Sequence, residues 1–354
     1  MNNRYFAASN SSRGFQNYFN EVFCRADFIY VVKGGPGTGK SSFMKRCSKY
    51  AADRGLAVEN YCCSSDADSL DGVLIFDGKR SIGVLDGTAP HVWEATQPGI
   101  REQIVDLGQF WDNRLVIKHK NEIVALNRKK SAAYNKAYTY LRSCGNLRTV
   151  TDMLLRESLN GEKMARAVER IVDSLCLDHG GEATIIPTPI DAVTMKGCVS
   201  FDTFRQKADK IYLVGYAQGI GQLLLCELER QFRKKNICMR IAYDAVCPWL
   251  INGIFIDDIN TAFLVGDADD NGDGSDETNE KYINSKRFID NDALRAARSE
   301  IRYTKKLSQS SLEGAIHALS EVSVYHFLLE DIYKNAMDFK ALTEFTNNFI
   351  NKFI

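Results

Sequence analysis

No run of apolar residues in this sequence approaches the roughly 20 needed to cross a bilayer. A charge excess is also missing: 45 lysines and arginines face 45 aspartates and glutamates. No overall field therefore draws the chain onto nucleic acid or an anionic membrane. Ten cysteines include no C-x-x-C pair and no accompanying histidine cluster, which argues against zinc and disulfide frameworks. They read as small buried hydrophobes of a reducing compartment. The opening "MNNRYFAASNSSRGF" is too polar for a secretory signal, so the expected setting is the cytoplasm. With only 6 prolines, 45% hydrophobic and 25% charged residues in 354, the composition is globular and long enough for two domains.

One strong pattern stands out. "FIYVVKGGPGTGKSSFMKRCSKYAADRG" contains G-x-x-x-x-G-K-[ST] from Gly34 to Ser41. A β-branched, aromatic run, Phe28–Val32, precedes it, and Ser42–Arg54 follows with helical spacing up to Gly55, the strand–loop–helix context the motif requires. Gly34, Gly35, Gly37 and Gly39 would turn backbone amides toward phosphate oxygens, with Pro36 and Thr38 completing the nucleotide-binding loop and Ser42 just inside the helix. Lys40 is expected on the β- and γ-phosphates and the Ser41 hydroxyl on Mg²⁺. "SIGVLDG" offers a strand ending in Asp86, the expected second holder of Mg²⁺ or its water. No glutamate follows Asp86 directly, where many ATPases of the additional-strand class carry their catalytic base. Asp66 and Asp68, in "YCCSSDADSLDG", are either water-positioning or proton-accepting groups at a strand end or helix-capping residues. No N-K-x-D guanine signature is present, which leaves ATP as the default nucleotide.

Residues 99–178 carry apolar residues at helical intervals. The segment 104–143 is expected to form one or two long helices broken near "CGN" at 144–146. Its basic residues are either a solvated face or a lid whose arginine reaches the γ-phosphate. Arg128 is the pick among Arg101, Arg114, Arg128 and Arg142.

The chain also repeats itself. "ADFIYVVK" (26–33) lies on "ADKIYLVG" (208–215), which sets Gly37 on Gly219 and Gly39 on Gly221. With a one-residue slip, Gly72 falls on Gly253, Asp77 on Asp258 and Asp86 on Asp267. Lys40 becomes Gln222, Ser41 becomes Leu223, Asp66 becomes Cys247 and Asp68 becomes Trp249. The expected architecture is α/β, with two tandem P-loop NTPase-like domains, each a parallel sheet flanked by helices. They would span 1–180, with a helical insert at about 99–178, and 181–354, with a helical tail at 286–354. The second would be a pseudo-site packed against the first. "DDNGDGSDETNE" (269–280) matches the EF-hand pattern, but Asp276 replaces an aliphatic position and a strand precedes it, favouring a solvated loop over a calcium site.

"RGFQNYF", "IYVVKGGPGTGKSSFMKR", "YCCSSDADSLDGV" and "IGVLDGTAPH", followed by the P-loop-like second half, resemble a family of bacterial (Firmicutes) tandem P-loop ATPases, AAA-type ATP-binding proteins. The resemblance spans nearly the whole chain and is strongest over 11–91. It implies a P-loop fold in each half and ATP binding in the first. The second half departs from the family pattern by lacking its own G-x-x-x-x-G-K-[ST]. The expectation is a Mg²⁺-dependent ATPase with one competent site. The alternatives are a small-molecule kinase with Asp66 as base, or a slow nucleotide-dependent switch that binds a protein partner.

Overall fold

A computed structural model describes residues 3–177, 181–266 and 279–354. The first half runs β1 (Asn3–Phe6), a β2–β3 hairpin (Ala8–Ser11, Gly14–Asn17), α1 (Phe19–Phe23), β4 (Phe28–Lys33), α2 (Lys40–Ala52), β5 (Ala57–Cys62), β6 (Leu70–Phe76), β7 (Ser81–Asp86) and β8 (Glu102–Asp106). Helices α3 (Asn113–Lys118), α4 (Lys120–Glu157) and α5 (Gly161–Ser174) follow. The second half repeats that order. It comprises β9 (Ile185–Pro187), a β10–β11 hairpin (Asp191–Thr194, Gly197–Ser200), α6 (Thr203–Lys207), β12 (Lys210–Val214), α7 (Ile220–Lys234), β13 (Met239–Tyr243), β14 (Ile251–Ile256), β15 (Thr261–Val265) and β16 (Glu280–Ile283). The chain closes with α8 (Asn291–Lys334) and α9 (Phe339–Phe353).

The two six-stranded sheets correspond strand for strand: β1-β5-β6-β7-β4-β8 in the first and β9-β13-β14-β15-β12-β16 in the second. They are mixed, not parallel as expected. β6 pairs antiparallel with β5 and β7, and β14 antiparallel with β13 and β15. The connections explain the difference. Only seven residues separate Cys62 from Leu70 and four separate Phe76 from Ser81, whereas a parallel crossover takes a dozen or more.

Pairing registers also revise the internal alignment. Val32 sits opposite Asp86, and its counterpart Val214 sits opposite Val265. The β14–β15 ladder runs from Gly253↔Leu264 to Ile256↔Thr261, one pair shorter than Gly72↔Leu85 to Phe76↔Ser81. Val265, not Asp267, therefore occupies the place of Asp86. Asp267 lies outside the described residues, as do 269–278 of the acidic loop. Glu280, at the last position of the EF-hand pattern, pairs instead with Arg205.

The helical segments differ from expectation in two places. Residues 102–106 form the edge strand β8 beside β4 rather than a helix. Helix α4 runs unbroken through Cys144–Asn146. Gly145 permits close approach there: a Cβ would lie 2.3 Å from the Cβ of Ser12. Helices α4 and α8 lie antiparallel, joined by Lys136–Glu321 (3.0 Å), Cys144–Ser308 (3.2 Å) and Thr151–Thr304 (3.0 Å).

Each tail completes the core of the other half. Leu342, Phe349 and Ile350 of α9 join the core around Tyr30 and Phe43, while Met164, Val168 and Val172 of α5 join that around α7. Each such buried side chain contributes roughly 1.5–3 kcal/mol. A buried ion network ties the sheets together directly. Glu59 of β5 meets Arg25 and, at 2.9 Å, Arg240 of β13, which also reaches Asp257 at 2.7 Å. Among the described residues no helix is long and apolar enough to cross a membrane.

Candidate functional site

Strand β4 carries the chain into the loop 34–39 and α2 carries it out. The middle of the loop needs glycine for two reasons. Gly37 and Gly39 have φ of +71° and +88°, where a side chain is strained. At Gly37 a Cβ would also meet the backbone oxygen of Glu330 at 2.6 Å. Thr38 is fully buried and its hydroxyl donates to the Gly35 carbonyl at 2.8 Å, pinning the turn. Pro36 is half-buried and Ser42 is exposed.

The Lys40 ammonium donates to the carbonyls of Gly34 (2.9 Å) and Gly35 (2.8 Å) and lies 3.6 Å from Asp86 Oδ2. Asp86 is buried at the end of β7, and its Oδ1 accepts from Thr88 N (2.9 Å) and Thr88 Oγ1 (2.6 Å). Ser41 Oγ accepts from the Leu70 amide at 2.9 Å. Lysine, serine and strand-end aspartate are thus brought to one place. Among the described residues, the backbone N–H groups of Gly35, Gly37, Gly39 and Lys40 have no acceptor, while Pro36 and Gly37 form a turn that brings the Thr38 N–H to the Gly35 carbonyl.

Asp66 and Asp68 are placed differently. Lys196, in the turn of the β10–β11 hairpin, lies 3.1 Å from Asp66 Oδ1 and 2.6 Å from Asp68 Oδ2. Its hydrogen bond, then its charge, lowers the Asp68 carboxyl pKa. The Ser69 hydroxyl donates to Asp66 Oδ2 at 2.9 Å. Asp68 is exposed and borders a cavity of about 980 Å³ between α2, β1 and β5, a space that Lys40 and Asp86 do not line.

Two side chains that sequence reasoning did not select converge on Asp86. Asp71 and His91 are both buried, and one ligand atom from each lies within 4.8 Å of the others and of one from Asp86. Burial alone would lower the His91 pKa, but the Asp71 and Asp86 carboxylates outweigh it and raise it. The available signal was a lone histidine five residues after the strand-end aspartate.

The cover over the loop comes mainly from the second half. A Cβ at Gly35 would lie 3.0 Å from the Tyr333 ring, and one at Gly39 would lie 3.0 Å from Leu342. Tyr333 in turn packs on Trp111. Helix α4 also faces this region: Tyr134 and Ser65 share a hydrogen bond of 3.0 Å. Its basic residue nearest in effect is Lys130, whose pKa is lowered by burial and then by the Lys40 charge. Arg128, the sequence-based pick, is exposed, while Arg114 pairs with Asp112 and Arg101 donates to backbone carbonyls.

The twin turn is built otherwise. The amides of Gly219 (2.8 Å) and Gly221 (3.2 Å) both donate to the Tyr216 carbonyl, and Leu155 of α4 covers the turn. Gln222 donates to Asn252 (2.7 Å) and Asp244 (3.2 Å), and Arg148 of α4 pairs with Asp244 at 3.0 Å. These groups border a cavity of about 380 Å³. Where the first half has a lysine beside Asp86, the second has a neutral Gln222 bonded to Asn252 and to the Arg148–Asp244 ion pair.

No family model, curated protein or solved structure matches the chain.

Proposed function

We propose that the first half binds Mg·ATP in the loop 34–41 and hydrolyses it, and that the second half is a pseudo-site that walls the first. The observation carrying this reading is the contrast between the two loops. In the first, four backbone donors are without internal acceptors beside a lysine, a serine and a carboxylate. In the second, the glycine amides are satisfied by Tyr216 and the lysine is Gln222. Free amides at a helix N-terminus suit phosphate oxygens. Lys40 would turn from the Gly34 and Gly35 carbonyls to the β- and γ-phosphates. Ser41 and Asp86 would hold Mg²⁺, which neutralises charge on the transferring phosphoryl group. The residues fit that ion: Asp86 Oδ2 is not held by Thr88, and Ser41 Oγ can still offer a lone pair.

A nucleotide-dependent switch is the second reading. It is favoured by the close fit of Glu330 and Tyr333 over Gly37 and Gly35, because phosphates entering the loop would press on α8. The kinase reading has less support, since Lys196 and Ser69 already engage Asp66. The test is calorimetric titration of the whole protein with ATP and excess Mg²⁺. We expect one nucleotide per chain and at least tenfold weaker binding in Lys40→Ala. No binding at millimolar ATP, or equal binding by Lys40→Ala, would refute both readings.

A further inference from the structure

The nucleotide reading uses Asp86 but leaves Asp71 and His91 without a task. One is placed by a backbone irregularity and the other by ring stacking. The β5–β6 ladder passes from Tyr61↔Gly72 to Cys62↔Leu70 and skips Asp71. Asp71 is therefore the extra residue of a β-bulge, a device that re-aims a side chain. His91 is held against Phe19, ring centroids 4.7 Å apart.

Partners fix the imidazole tautomer. His91 Nδ1 lies 2.9 Å from the Asp86 backbone carbonyl, which can only accept, so Nδ1 carries the proton. Nε2 then faces Asp71 Oδ2 at 3.3 Å. Facing a buried carboxylate, Nε2 either carries a second proton and pairs with Asp71 or shares a metal cation with it. Histidine metal ligands are oriented in this way, with the outer N–H on a backbone carbonyl. Asp86 is oriented likewise, its Oδ1 fixed by Thr88. The twin half supplies a second observation. The bulge recurs there between Ala242↔Gly253 and Tyr243↔Ile251. The bulged residue is Asn252, bonded to Gln222, and Val265 replaces Asp86. Both carboxylates are absent from the twin positions.

We propose that Asp71, Asp86 and His91 form a binding site for a divalent transition-metal ion of the Mn²⁺, Fe²⁺ or Zn²⁺ class. One imidazole nitrogen with two carboxylate oxygens suits these borderline ions, whereas Mg²⁺ and Ca²⁺ prefer oxygen ligands throughout. The charges agree. Two carboxylates and Lys40 sum to one negative charge around a neutral imidazole, and a dication reverses that sign beside the phosphate loop. This site does not depend on the nucleotide reading.

The experiment uses the full chain, stripped with chelator and free of nucleotide, titrated with Mn²⁺ in the presence of millimolar Mg²⁺. Electron paramagnetic resonance counts free Mn²⁺, and electron spin-echo modulation reports a bound nitrogen ligand. We expect one Mn²⁺ per chain with ¹⁴N modulation. His91→Gln and Asp71→Asn should each bind at least about tenfold more weakly. The proposal is overturned if wild-type protein binds no Mn²⁺ over Mg²⁺, or if bound Mn²⁺ shows no nitrogen modulation. Unchanged binding in a folded His91→Gln protein also overturns it. The spectrum is read on wild-type protein, so an unfolded variant leaves the test intact.

Discussion

Replacing Glu59 by glutamine probes how the two halves are held together. Burial alone would raise the Glu59 pKa, but Arg240 and Arg25 outweigh it and bring it from an ordinary 4.5 to about 2. A displacement of that size corresponds to ~3 kcal/mol at 1.36 kcal/mol per pH unit. An independent route gives a similar figure, since removing one partner of a buried ion pair costs about 3–5 kcal/mol. Arg240 keeps Asp257, so the lower end of that range applies. The pH dependence has a definite sign. Because the folded-state pKa is depressed, the contribution is complete above about 4.5, where unfolded Glu59 is also ionised. It fades as pH falls toward about 2. Urea unfolding followed by circular dichroism should show Glu59→Gln less stable by ~3 kcal/mol at pH 7. Its stability should also fall less steeply than that of wild type between pH 5 and 3. A deficit under 1 kcal/mol at pH 7, or parallel acid limbs, would refute the assignment of Glu59 as an ionised link between the sheets.

Two further outcomes follow from the packing. Gly37→Ala places a Cβ at φ +71° and 2.6 Å from the Glu330 oxygen. It should cost about 1–3 kcal/mol in thermal unfolding and abolish ATP binding; a stable, binding-competent variant would remove the close fit of α8 over the loop. Phe349→Ala empties a site shared by Tyr30 and Phe43 and should destabilise by about 3–5 kcal/mol. If α9 is an essential wall of the first half, ATP binding weakens in the same variant, measured at a temperature where it remains folded.

The strand–loop–helix around 34–41 was legible because clustered glycines separate a strand and a helix of strong local periodicity. The duplication was legible for the same reason. What escaped was non-local. Asp86 was matched to Asp267 because a sequence alignment does not register a hairpin shortened by one cross-strand pair. The break expected at Gly145 followed from its helix propensity, which the contact with Ser12 overrides. Strand β8 was missed because "EQIVD" carries only a short apolar run, and its pairing with β4 is a tertiary fact. Asp71 was visible as one acid among several, and only the bulge shared with Asn252 separates it from Asp66 and Asp68.

The same crossing of tails explains how a half whose loop lacks lysine and serine can still shape the half that carries them. A glycine loop must stay open to accept phosphates, so its outer side cannot be sealed by residues that immediately follow it. Here the sealing groups, Glu330, Tyr333 and Leu342, lie some 300 residues downstream and belong to the tail of the second half. Reciprocally, Leu155 and Arg148 from the tail of the first half close the second loop. There Gln222 and Leu223 stand where the first loop has lysine and serine. Each loop is walled by the tail of the other half, so α8 and α9 shape the first loop whatever residues the second loop carries.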